Sequence, residues 1–135
     1  MALITAYGLS FYKIEVDKDK SLLSSVWQRP VNTEELIAGG TRLYEALRDT
    51  QAEKVIADAR LLGTLSPEAK EWMASKFYGL LSQTSVKMVA RVLPQNLFPR
   101  LALESVVTRA EALGVTRFDV KNFTDPQEAL KWLLK

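Results

Sequence analysis

The residues best suited to chemistry lie in one stretch and one outlier. VIADARLLGTLSPEAKEW, residues 55–72, carries Asp58, Arg60, Thr64, Ser66 and Trp72, and Arg91 follows within VKMVARVL, residues 86–93. An aspartate beside two arginines can close an ion pair and brace a loop. Alternatively, the guanidinium groups face outward and, with the start of a following helix, hold a small anion. Ser66, followed by Pro67 and Glu68, has the composition of a helix N-cap, first helical residue and first-turn acid. The same hydroxyl is an alternative phosphoacceptor, favoured by the helix dipole and opposed by Glu68. Trp72 can fill core or stack on a ligand at the edge of a crevice.

Other chemistry is restricted by composition. The chain has no Cys and no His, which removes thiol nucleophiles, disulfides, thiolate metal sites and the commonest general base near neutral pH. The carboxylate pairs Asp17 with Asp19 and Glu34 with Glu35 stand on a turn and in a first helical turn, with no nucleophile beside them. No EF-hand spacing is present, so neither a metal nor a cofactor is expected. The 18 basic and 16 acidic residues are interspersed and leave a formal charge of +2, without the basic stripe that nucleic acid requires. No run is long enough to span a bilayer, and the first residues lack the pattern of a signal peptide. A cytoplasmic protein is expected.

These residues must be positioned by elements the patterning also indicates. Leu9–Val16 alternates as a strand, with Tyr12, Ile14 and Val16 on one face; Asp17–Lys20 is a turn, and Leu22–Gln28 returns as the hairpin partner. Asn32 or Thr33 caps a helix that carries Leu36, Ile37, Leu43, Tyr44 and Leu47. Gly39-Gly40 interrupts it at about 1 kcal/mol per Gly, which points to close backbone approach. Lys54–Ala59 is a short buried strand. The helix from Ser66 turns Ala69, Met73, Phe77, Leu80 and Leu81 inward, and Val86–Leu93 is the next strand. A third helix from about Asn96 carries Leu103, Val106, Val107, Ala110 and Leu113 to Gly114, Thr116–Phe123 is an edge strand, and Asp125-Pro126 starts a last helix with Ala129, Leu130 and Leu133 inward. Helices alternating with strands imply right-handed crossovers and a mostly parallel sheet. The expectation is one α/β domain over residues 1–135: a mixed sheet of four or five strands, an N-terminal antiparallel hairpin and about four helices. Ligands of such sheets bind beyond the carboxyl ends of the strands, where Asp58, Arg60 and Arg91 are expected to converge.

Nearly the whole chain resembles the bacterial STAS-like, SpoIIAA-like family of small proteins, often labelled STAS/SEC14. The resemblance rests on the strand with Asp58 and Arg60, on Leu65–Glu68 (LSPE) followed by Trp72, on the strand ending at Pro94, and on the terminal FTDPQEALKWLLK. It implies a binding or regulatory module. In anti-sigma-factor antagonists of that superfamily, a Ser at the start of the helix after the Asp-bearing strand is phosphorylated; Ser66 is the matching position. Leu62-Gly63-Thr64-Leu65 replaces their Asp-Ser-Ser-Gly type of loop. The expected function is therefore non-enzymatic binding of a protein partner, a second copy of the chain as a homodimer, or a small anionic ligand. Two readings compete with it. One is a carrier of a lipid or other apolar molecule, with Met73, Phe77, Leu80, Leu97, Phe98 and Leu101 around a cavity. The other is an enzyme on an anionic substrate that depends on Asp58 or Arg60.

Overall fold

The computed structural model describes Leu3–Ile4 and residues 8–135. Six strands succeed one another across a single sheet in chain order: β1 (Leu3–Ile4), β2 (Tyr12–Asp17), β3 (Leu22–Trp27), β4 (Lys54–Asp58), β5 (Met88–Val92) and β6 (Asp119–Phe123). β1, β2 and β3 are antiparallel, whereas β3 to β6 run parallel. The mixed α/β layout read from the sequence is therefore present, with β1 as the additional two-residue edge. The strands are shorter than their apolar runs, because residues such as Val86 and Leu93 continue the core after the ladder has ended.

Each parallel connection carries helix. α1 (Thr33–Thr50) joins β3 to β4. α2 (Pro67–Trp72), a π-helical turn (Met73–Phe77) and α3 (Tyr78–Leu81) together join β4 to β5, and α4 (Leu97–Ala112) joins β5 to β6. Right-handed crossovers made in one direction across a sheet fall on one face. Accordingly Leu36, Leu43, Phe77, Leu103 and Ala110 pack with Val55 and Val89 in one large core. α5 (Pro126–Leu133) covers the opposite face, where Ala129 and Leu133 meet Leu22, Ile56, Ala90 and Val92.

Local chemistry sets the helix ends. Asn32, rather than Thr33, caps α1: its Oδ1 accepts from Glu35 N at 2.8 Å, and Glu35 Oε1 accepts from Asn32 N at 3.1 Å, a reciprocal capping box. Arg29 grips the same carboxylate with Nη2 at 2.7 Å. Asp125 Oδ1 accepts from Gln127 N at 3.0 Å and starts α5.

The helical stripe after Ser66 departs from its expected phase. Ala69, Met73, Phe77 and Leu81 are buried as anticipated, but Leu80 is half-buried and Tyr78 takes an inward place. The π turn inserts an extra residue per turn and rotates the residues beyond it about the helix axis. Leu113, expected inside, is 45% exposed where α4 ends, and Leu130 is half-buried. Gly39 and Gly40 permit the close approach foreseen, in two directions. A Cβ at Gly39 would collide with the Trp27 ring of the sheet, and one at Gly40 would stand 2.8 Å from Trp72 of α2.

Candidate functional site

The residues expected to converge lie on opposite faces of the sheet. In the parallel register Asp58 pairs with Val92, and Ala57 pairs with Arg91. Side chains alternate along a strand, so Asp58 shares the α5 side with Val92, while Arg91 enters the large core under α4. The expected Asp58, Arg60 and Arg91 cluster does not form, because a one-residue offset reverses the face.

Asp58 instead braces its own loop. Its carboxylate accepts from Arg60 Nη2 at 2.7 Å, from Nε at 3.1 and 3.2 Å, and from the Arg60 backbone N at 3.1 Å. The hydrogen bond to Asp58 is the main cause that raises the Arg60 pKa. Thr64 and Ser66 are exposed on the same joint. Ser66 is the N-cap of α2: its Oγ accepts from Ala69 N at 3.0 Å and lies 2.7 Å from Thr33 Oγ1. Trp72 is half-buried, stacked on Phe77 at 5.5 Å between centroids.

Arg91 is the exceptional group. It is only 3% exposed, yet no carboxylate among the described residues forms an ion pair with it. Nη2 donates to the Leu103 carbonyl at 2.8 Å and Nη1 to Asn122 Oδ1 at 3.4 Å. A guanidinium has five N–H donors, and the others have no acceptor among the described residues. Removing a charge from water without a counter-charge costs several kcal/mol.

Arg91 lines a small cavity of about 40 Å³, together with Tyr12, Ala57, Trp72, Phe77 and Tyr78 among others. Ala57 forms its floor, between Ser25 and Arg91 in one row across the sheet. Burial raises the pKa of both Tyr12 and Tyr78 above the ordinary 10.0; the Arg91 charge partly offsets this at Tyr78. Ser25 Oγ is buried beside the Tyr12 phenol and favours its ionised form, but completes no hydrogen bond of normal geometry. The result is a polar cluster on aromatic and aliphatic walls.

Of the residues named for an apolar carrier, Met73 and Phe77 line this cavity. Leu97, Phe98 and Leu101 face outward from α4, with Phe98 81% exposed, and Leu80 is half-buried. Sequence reasoning missed Tyr12 and Tyr78 as site residues, and Ser25 beside Tyr12. Tyr12 and Ser25 were within reach, since alternation puts them on the inner face with Ile14, Leu23 and Trp27; Tyr78 was concealed by the π turn.

No grouping of three or more potential metal-ligating side chains occurs among the described residues, and no helix there is long and apolar enough to cross a membrane. No family model, curated protein or solved structure matches the chain.

Proposed function

We propose that the chain is a non-enzymatic binding module, of the STAS-like kind that its motifs resemble, and that it takes a small anionic ligand on Arg91. The observation that carries this reading is a buried Arg91 that lines a cavity and has no acidic partner among the described residues. An anion in that cavity would supply the missing counter-charge through charge-assisted hydrogen bonds. The chain's lack of His and Cys, and the engagement of Asp58 by Arg60, favour binding over catalysis. A bacterial, cytoplasmic setting is part of the proposal.

A ligand that binds only the folded chain raises its apparent stability by mass action. A thermal-shift screen of carboxylated and phosphorylated metabolites at constant ionic strength tests the reading. The expected result is stabilisation by at least one anion in the wild type and none in Arg91→Met, whose thioether side chain keeps most of the volume. Silence from all anions, or equal responses in both proteins, overturns it.

Docking of a protein, including a second copy, is supported separately by Leu97, Phe98 and Leu101, large apolar side chains left in solvent along the start of α4. Light scattering of the wild type and Phe98→Ser tests self-association. A monomer in both cases removes the homodimer.

A further inference from the structure

We infer that the ligand of the Arg91 cavity is a short-chain monocarboxylic acid, seated over Ala57 with its carboxylate on the Arg91 guanidinium and its tail against the aromatic wall. This deepens the proposal above and rests on it.

Three properties of the cavity select that class. The first is charge. Arg91 is the only Lys or Arg that lines it, so one negative charge is compensated, whereas a phosphate dianion would bring a second charge into a buried site at heavy cost. The planar fork of a guanidinium also matches a carboxylate in a bidentate arrangement.

The second is polarity. Apart from Arg91, the polar groups in the lining side chains are the phenols of Tyr12 and Tyr78 and the indole N–H groups of Trp27 and Trp72. Burial keeps both phenols protonated, so each has an O–H to offer an acceptor. The remaining walls, including Met73, Phe77 and Leu81, suit hydrocarbon and would leave the hydroxyls of a sugar or polyol unpaired.

The third is size. A space of about 40 Å³ holds only a few non-hydrogen atoms, which makes acetate the upper limit of size. The floor explains why there is room at all. Ala57 occupies a central strand position between Ser25 and Arg91 and is half-buried despite its depth in the sheet, because its surface opens into this space. Trp72 is the one large lining side chain that also reaches solvent, so it stands at the entrance.

The test is calorimetric titration of the full chain with acetate, propionate, octanoate and inorganic phosphate at equal ionic strength, read alongside tryptophan fluorescence. Acetate is expected to bind most tightly, with a change in tryptophan emission, while phosphate and octanoate do not. Arg91→Lys is expected to weaken the short acids roughly tenfold or more, the size of a lost charged hydrogen bond. Ala57→Val, which suits a strand and fills the floor, is expected to abolish binding while circular dichroism stays native. Tyr78→Phe provides a further variant if Arg91 substitutions do not fold, with an expected loss of a few-fold.

The outcomes separate the two claims. Arg91-dependent binding of phosphate with the acids silent overturns the monocarboxylate and leaves anion binding standing. Propionate or octanoate binding more tightly than acetate overturns the size argument. Binding unaffected by Ala57→Val overturns the seat over Ala57. No binding by any of the four overturns both claims.

Discussion

The hydroxyls of Thr33 and Ser66 meet at 2.7 Å, linking the N-termini of α1 and α2. Ser66 Oγ also accepts from Ala69 N at 3.0 Å, so one side chain both caps its own helix and ties it to the preceding crossover. Ser66→Ala removes both interactions. The expected loss is about 1 kcal/mol for the cap, with a smaller further loss for the bond to Thr33, measured by urea denaturation. Ser66→Asp keeps an acceptor at the cap and is expected to lose less than Ser66→Ala. Equal stability of Ser66→Ala and wild type would remove the capping role and reopen the hydroxyl as a modification site.

Gly39 and Gly40 are held by aromatic rings on two sides. In an exposed helix, replacing Gly by Ala stabilises by about 1 kcal/mol. Here a Cβ at Gly40 would lie 2.8 Å from Trp72 and 3.2 Å from Phe77. Overpacking typically costs about 1–3 kcal/mol and outweighs the gain in propensity. Gly40→Ala is therefore expected to lower the urea midpoint and to shift Trp72 emission, since α2 must move away. Gly79 is the internal control: nothing lies near its added Cβ, and Gly79→Ala is expected to stabilise.

These two cases show where sequence was sufficient. Ser66-Pro67-Glu68 reads correctly as a helix start because capping depends on residues within one turn. The sheet order was legible for a similar reason, since short apolar runs separated by helical periods leave few right-handed solutions. Gly39-Gly40 announced a close approach, but not that one glycine faces Trp27 and the other Trp72. The site was less legible. Arg91 lies in a run, Val89 to Leu93, that is buried throughout; apolar neighbours on both faces of that run already implied an interior guanidinium, yet ionisable residues are rarely buried without a partner. Placing it at the rim obeyed that general rule, and register decided otherwise. Tyr78 was hidden because a π turn leaves no mark in hydrophobic periodicity.

The Asp58–Arg60 pair is expected to matter little for stability and nothing for anion binding. Arg60 is about half exposed at 47%, and exposed ion pairs contribute about 0–1 kcal/mol. Arg60→Ala is expected to fall in that range by urea denaturation, and Asp58→Asn likewise, since an amide oxygen can still accept from the Arg60 backbone N. Neither is expected to change the thermal shift produced by an anion, because Arg91 opens on the other face. Loss of that shift in Arg60→Ala would place the anion at the strand ends instead.

Alkaline pH gives an independent reading of the cavity wall. Tyr12 and Tyr78 are both buried, and burial lifts their pKa values above the ordinary 10.0. The unfolded chain releases these protons near pH 10, while the folded chain keeps them. Above that pH the folded state binds more protons than the unfolded state, so stability falls as pH rises. Below it both states hold the protons and the contribution is constant. Urea midpoints are therefore expected to be flat with respect to these groups up to about pH 9 and to decline beyond about pH 10. Tyr12→Phe is expected to flatten part of that decline, whatever it does to stability at neutral pH. Tyrosinate absorbance supplies the second measurement: part of it should appear only together with unfolding. Four tyrosines ionising smoothly near pH 10 in a chain that stays folded would mean that Tyr12 and Tyr78 are wet, and would remove the dry wall on which the Arg91 cavity depends.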